Sequence, residues 1–516
     1  MFLQFCDFPF KFCTFFHDFF LSDLKFRYMC HYSDTCLYFF KSQNKKRRKK
    51  LKIWQEWWKW ASQLRECCSR TRTFMWFLVA LVGFSIRDDL LGVSSFIRCI
   101  GLAPFCYDRL LDFFHSPALK VELLNQLWTA LVFKLHPEIV RFNGMPVIVG
   151  DGLKIGKSGR KMPGVKLLHQ ESDSNTKPEY IMGHSCQAAA LLVRGLNSIM
   201  ALPLAARIHE GVIFSNRDKR TLLDKMVLLL NTLRMPEKFI FLADAYYASR
   251  KIILPLLESG NHLVSRVKTT ATAYFPASPT PPGKRGRKKV YGEKIKLISL
   301  FDDIGKMIEA PSPIYGETNV TLRYRAIDLL WRPIGIMVRF VLVDHPARGR
   351  CILMGTDLEM TAMEIIELYS YRFKIEVSFK QAIHTIGAYL YHFWMAAMKP
   401  LKRRQGNQYP HRENKRYRQA IRRKLDAYHR FIQVGIVAQG IMVALSTTAP
   451  ALVWSSFGSW LRTMNHKQCP SEMVVGMALK NNFAEFLLSG CCVPNLVKFI
   501  WERRATERKN CFQQAA

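Results

Sequence analysis

The sequence predicts an α/β catalytic core with helical regions before and after it. Three observations carry this. Short apolar runs alternate with helical patterns between Met145 and Lys268. Two of those runs, Val147–Asp151 and Lys238–Asp244, end on a carboxylate. A β-rich stretch and a long helical pattern follow them. Alternating strands and helices of this kind build a mostly buried sheet.

Taken in order, residues 1–52 form an atypical Phe- and Cys-rich extension closed by the basic run Lys45–Lys50. Asp7, Lys11, Asp18, Asp23, Lys25 and Arg27 interrupt every apolar stretch, so the segment does not read as a signal peptide and is expected to be poorly ordered. Residues 53–140 read as helical. Within them Gly92–Ile100, the turn at Gly101 and the Pro104-initiated helix to Phe114 form a candidate helix-turn-helix.

Residues 141–268 alternate. Val147–Asp151, Val165–His169, Cys186–Val193, Lys238–Asp244 and His262–Lys268 are expected strands, and Leu222–Leu233 and Ala248–Leu257 are expected helices. Residues 269–349 read as a β-rich insertion, with strands at Val320–Ile327 and Ile334–Val343. Cys351–Met354 returns to the core, which extends over 350–395. Thr361-Ala-Met-Glu364 has capping-box spacing and opens one helix expected to run to about Ile386 and stop at Gly387. Residues 396–516 carry a basic segment and C-terminal helices.

The chain has 516 residues and a formal net charge of +36, from 76 Lys+Arg against 40 Asp+Glu. Such an excess describes partners rather than fold, and nucleic acid is the commonest polyanion a surface like this meets. Besides Lys45–Lys50, basic residues gather at Lys284-Arg285-Gly286-Arg287-Lys288-Lys289 and over Lys399–Lys424, which holds eleven Lys+Arg and one acid, Glu413. Three such runs favour phosphate contact. The fourteen cysteines include no C-x-x-C, which argues against a zinc ribbon or finger. Phe431–Leu461 lacks charge and is long enough to span a bilayer, but Gln433, Gln439 and Pro450 interrupt it. Tyr428–Leu445 therefore reads as a buried helix and no membrane partner is expected.

Three carboxylates stand out: Asp151 and Asp244 at expected strand ends and Glu376 on the later helix. Strand-end acids project from the carboxyl edge of a sheet, where α/β folds place ligands. Together the three suit two hard divalent cations, Mg2+ or Mn2+, acting on a phosphodiester. Tyr369, Arg372 and Glu376 recur at i, i+3 and i+7 and share one helix face. The guanidinium would clamp phosphate oxygens, the phenol would donate a hydrogen bond, and Lys380, four residues after Glu376, could contact phosphate nearby.

On these residues the chain resembles a bacterial insertion-sequence DDE transposase of the group with a Tyr-x2-Arg-x3-Glu-x6-Lys signature. The resemblance rests on Val149-Gly150-Asp151-Gly152, Leu242-Ala243-Asp244, Leu263-Val-Ser-Arg-Val-Lys268 and Tyr369-x2-Arg372-x3-Glu376, and covers roughly residues 75–465. It implies an RNase H-like core and metal-dependent cleavage and strand transfer at insertion-sequence ends. Asp151, Asp244 and Glu376 would be the catalytic and metal-binding residues. Tyr369, Arg372 and Lys380, with Lys284, Arg285 and Arg287, would hold DNA. It also implies double-stranded DNA as partner, both element ends and target, a homodimer in the synaptic complex, and a cytoplasmic, nucleoid-associated location. The signature lysine position is Ile383 here. The alternative expectation is a catalytically inactive transposase remnant that only binds DNA.

Overall fold

The computed structural model describes residues 52–170, 178–278, 289–489 and 494–505. The expectation for residues 1–51 and the basic residues Lys284, Arg285 and Arg287 lie outside the described residues; Lys52 already belongs to a helix over 52–61.

Before the sheet come helices Thr71–Ile86, Ser94–Ile100, Cys106–His115 and Val121–Leu135. Gly101 takes the left-handed conformation at φ 77° between the second and third, as the helix-turn-helix reading requires. The outer face of Cys106–His115, however, presents Asp108 and Asp112 beside Arg109, and Arg109 lies 3.8 Å from Asp112. The inner face packs Phe114 on Phe431, ring centroids 5.1 Å apart.

The strands are β1 (Arg141–Phe142), β2 (Met145–Gly156), β3 (Lys166–His169), β4 (Tyr180–Gly195), β5 (Ser198–Ile208), β6 (Ile240–Ala243), β7 (His262–Val267), β8 (Thr272–Pro276), β9 (Tyr291–Lys296), β10 (Ile308–Pro311), β11 (Thr321–Trp331), β12 (Ile336–His345) and β13 (Gly349–Gly355). They form one mixed sheet in the order β3-β4-β2-β6-β7-β13-β12-β11-β8-β9, with β5 on β4, β1 on β2 and β10 on β11. β2, β6 and β7 run parallel; the other pairings are antiparallel. The stretch read as an insertion thus adds its strands to the same sheet through β13 and β12.

The two faces of the sheet bury different sets of residues. One face meets the N-terminal helices and the helix Lys415–Thr448 through Trp57, Phe77, Leu202, Phe431 and Val437. The other gathers Val147, Val149, Leu242 and Val264 under Ile365, Leu368 and Ile375. The apolar runs read as strands are fully covered because each sits between these layers.

Three expectations are corrected. Val147–Asp151 is not a strand that stops at the acid: β2 continues to Gly156, paired with β4 from Ile148↔Leu191 to Gly156↔Gly183. What ends near Asp151 is the parallel partner β6. The single helix to Ile386 is instead Ala362–Ser370, a 3-10 turn Tyr371–Phe373, Lys374–Gln381 and a π turn Ala382–Ile386. Its start and stop are as read: Thr361 and Glu364 make the reciprocal capping box, and Gly387 ends it at φ 68°. Its interior bends where Tyr371 turns inward to be buried in the second core, a tertiary demand that local propensity does not signal. The apolar helix also starts earlier than Tyr428: it begins at Lys415, capped by Asn414, and runs to Thr448, before Pro450 as read. It is long and apolar enough to cross a membrane, and 94% of its most apolar window is buried inside the protein.

Candidate active site

β2 and β6 set the site. Their parallel register pairs Val149 with Leu242, which brings Asp151 and Asp244, each two residues further on, to the same edge of neighbouring strands. Gly150 is required between them: a Cβ there would lie 2.5 Å from the ring of Phe241. Asp151 shares the face of Val147 and Val149, the face covered by Lys374–Gln381. After β6 the chain turns sharply through the 3-10 segment Ala245–Tyr247, and the Asp244 side chain caps it by accepting from the Tyr246 N–H at 3.1 Å.

Glu376 lies in the first turn of Lys374–Gln381, directly after the 3-10 turn Tyr371–Phe373. Arg372, one turn earlier, joins it to the strand acid. Its Nη1 donates to Asp151 Oδ2 at 3.1 Å and its Nη2 to Glu376 Oε1. The Asp151 and Arg372 side chains are largely covered, at 18% and 21% exposure, while Glu376 is 56% exposed and opens toward solvent.

Burial pushes the Asp151 carboxyl up to about 6; the Asp244 charge adds to this, the Gly152 N–H and Arg372 oppose it, and Glu376 raises it further. Burial pulls Arg372 down, but Glu376 and then Asp151 outweigh it and hold the guanidinium above its ordinary value. Tyr369 is half-buried; burial pushes its phenol up to about 12, with Arg372, Arg266 and Asp244 all close enough to act on it. Tyr369, Arg372 and Glu376 therefore do meet at one site despite the 3-10 break. Lys380 is exposed one turn beyond Glu376, whereas Ile383 is partly buried against the first core.

Among the described residues no trio of His, Cys, Asp and Glu is gathered closely enough to read as a ready metal cage. The donor chemistry nevertheless suits a hard cation. Three carboxylates act on one another, and Arg372 supplies positive charge between two of them.

Sequence reading missed four side chains. Tyr247, three residues after Asp244, is buried; its hydroxyl accepts from Gln187 Nε2 at 2.9 Å. Burial and the Asp151 charge both push the phenol well up. Gln187 in turn meets His209 Nδ1 at 2.5 Å, so an aligned polar chain backs the strand acids. Arg266, on β7 inside the quoted run Leu263–Lys268, is exposed and near Tyr369. The Asp-Ala-Tyr-Tyr order could have suggested Tyr247; Gln187 and His209 have no local signal.

Comparison with known proteins agrees with part of this. A family model described as DDE superfamily endonuclease matches residues 67–321. That span contains Asp151 and Asp244 and stops before Glu376. No curated protein matches the chain. A solved piggyBac transposase synaptic complex with hairpin DNA aligns over 88% of this chain and 83% of its own, at 11% identity and a TM-score of 0.32, too distant a likeness to bear on fold or activity. Just under half of this chain is thus similar to DDE endonucleases, and that half carries the two strand acids.

Proposed function

We propose that the chain is a DDE transposase that cleaves DNA at the ends of an insertion sequence and joins the freed end to target DNA. The observation that carries this is the meeting of Asp151 and Asp244 on adjacent parallel strands with Glu376, tied in by Arg372. Residues 141–268 and 350–395 form the RNase H-like core in this reading. The similarity of residues 67–321 to DDE endonucleases supports it.

Asp151, Asp244 and Glu376 would hold two divalent cations, magnesium or manganese. When bound, these supply Lewis-acid stabilisation of the attacking and leaving oxygens of a phosphodiester. The residues themselves do the rest. Asp151, largely covered and held by Arg372, would offer its carboxylate oxygens to the cations. Arg372 has the planar fork that grips two phosphate oxygens at once. Tyr369 and Arg266 flank it on the strand side, and Tyr247, braced by Gln187, fixes the turn that presents Asp244. The net charge of +36 and the basic segment Lys399–Lys424 suit a duplex partner, with two copies of the chain joining two ends. The helix pair Ser94–His115 has the shape of a DNA reader but Arg109 is the exposed cation on its second helix, so the basic segments are assigned the DNA instead. A bacterial, nucleoid-associated setting follows from the same reading.

The test is nicking and strand transfer on DNA carrying the sequences that flank the gene, with magnesium or manganese. Glu376→Gln keeps size and removes the charge a hard cation needs. Cutting should fall below detection while DNA binding persists. Wild-type-like cutting by this variant would remove Glu376 from the site. Ile383 at the signature lysine position favours a second reading, an inactive remnant that binds DNA. Absence of metal-dependent cutting by the wild-type chain on its own flanking ends would select it.

A further inference from the structure

Beyond Asp151, β2 runs five residues to Gly156 and delivers Lys157, Ser158, Gly159 and Arg160 to the far rim of the sheet. There they face Lys402 and Arg403 across a cleft of about 420 Å3. Four of its lining side chains are cationic and none is acidic. Its size is within the roughly 300–1,000 Å3 range of small-ligand sites.

The cleft is held rigidly. Leu401 N–H donates to the Arg160 carbonyl at 2.8 Å, Met395 N–H to Lys161 at 3.0 Å, and Leu167 N–H to Gln405 at 2.8 Å. Arg160 Nε donates to the Leu401 carbonyl at 3.4 Å, and Lys161 Nζ to the Ala396 carbonyl at 2.9 Å. A Cβ at Gly159 would lie 2.6 Å from Met162 Sδ and 2.8 Å from Trp394 Nε1, so the loop is packed tight. Lys157 is the independent sign. It is 8% exposed, and Nζ donates to the Tyr389 and Tyr391 carbonyls at 2.6 and 3.3 Å. Nζ also sits 4.0 Å from the centroid of the Tyr391 ring. Among the described residues no carboxylate pairs with Lys157, Arg160, Lys402 or Arg403. A buried ammonium without a counter-charge is costly, and three more cations held around it add self-repulsion. An anion relieves both.

We propose that this cleft seats a backbone phosphate of the bound DNA, about six base pairs from the phosphate being cut. The spacing comes from β2: six residues from Asp151 to Lys157 span roughly 20 Å at ~3.3 Å each. Along a duplex that is about six steps of ~3.4 Å. The inference rests on the transposase reading, because that reading puts DNA at Asp151. Other anions of the same chemistry would enter the cleft too, but the basic run continuing to Lys424 beside it matches a long polyanion.

The experiment measures affinity of the full chain for a 30-base-pair duplex by anisotropy over a salt series. The triple variant Arg160→Gln, Lys402→Gln, Arg403→Gln removes three exposed charges and leaves the core intact. Its slope of log affinity against log salt should be shallower than wild type by about 0.9, the one phosphate contact the cleft supplies. The control Arg462→Gln, Lys467→Gln, Lys498→Gln removes the same charge from exposed positions elsewhere and should leave the slope unchanged. Equal shifts for the two triples, or no shift for the cleft triple, would overturn the proposal. The outcome is separable from the active-site reading. A shallower slope in the cleft triple with unimpaired cutting by Glu376→Gln would sink the catalytic assignment and leave the phosphate seat. An unchanged slope with Glu376→Gln inactive would do the reverse.

Discussion

The middle of β2 and the residues just past its far end answer opposite electrostatic problems. At Asp151 the strand gathers negative charge: Asp244 and Glu376 push its carboxyl up, and Arg372 partly relieves the crowding. Six residues on, at Lys157, the same strand gathers positive charge with no acid beside it. Asp151 and Lys157 themselves are buried enough that solvent screens them poorly. Each therefore stores unfavourable energy in the free protein, and each is relieved by what the other lacks. A cation completes the first and a phosphate the second, and a metal-bound DNA brings both. The comparison teaches that binding and chemistry are laid out along one rigid element, so their separation is fixed by strand geometry rather than by a loop.

The largest expected effect breaks the acidic end. Asp151→Asn should abolish metal-dependent cutting, by more than about 1,000-fold, since it removes the charge of a cation ligand. The same variant should stabilise the metal-free protein. Asp151 sits at about 6 folded against 3.8 as the reference. Because its folded value is raised, the folded state holds the proton more tightly. Stability therefore falls as pH rises from about 4 to 6 and stays low above that. Removing the charge should return about 2–3 kcal/mol at pH 8. The gain should vanish below pH 4. Thermal melts in chelator at pH 8 and at pH 4 read both. A destabilised variant at pH 8 would mean that the Arg372 contact outweighs the crowding, and would reverse the picture of this end.

Arg372→Lys is next. It keeps a charge but loses the fork that reaches Asp151 and Glu376 together. Cutting should fall about 10- to 1,000-fold, the range for one transition-state contact. Single-turnover rates at saturating metal test this. A rate equal to wild type would confine Arg372 to neutralising the acids in the free protein.

How much of this is legible in the sequence differs between the two ends. The acidic end reads well because its parts are local: an apolar run closed by Asp, a second such run, and Tyr369, Arg372 and Glu376 at helical spacing. The core strands read for the same reason. β5 does not, because Ser198–Ile208 contains Pro203 and small residues and is a strand only through its partner β4. The bend at Tyr371–Phe373 is set by burial of Tyr371 and not by any breaker. The basic end is nearly invisible. Lys157 is one lysine after a strand, and Lys402 and Arg403 across the cleft lie some 245 residues away, brought there by the backbone hydrogen bond from Leu401 to Arg160 that no spacing announces.

The smallest expected effect sharpens the region between the ends. The signature lysine position, Ile383, packs against the core at the start of the π turn Ala382–Ile386, while Lys380 is exposed one turn from Glu376. A π turn admits an extra residue and shifts the helix phase beyond it, so spacing counted from Glu376 no longer finds the solvent face at 383. Lys380 is then the cation available to a phosphate next to the cut. Lys380→Gln should lower the salt slope of DNA binding by about 0.9, one contact, and reduce cutting of pre-cut ends only modestly. Ile383→Lys must either bury a charge or unwind the turn, so it should cost about 1–3 kcal/mol of stability. It should not rescue the Lys380→Gln loss. The double variant, measured by the same salt series and by melting temperature, decides the matter. A slope restored to wild type in the double variant would show that position 383 does reach the DNA, and would return the signature spacing to this helix.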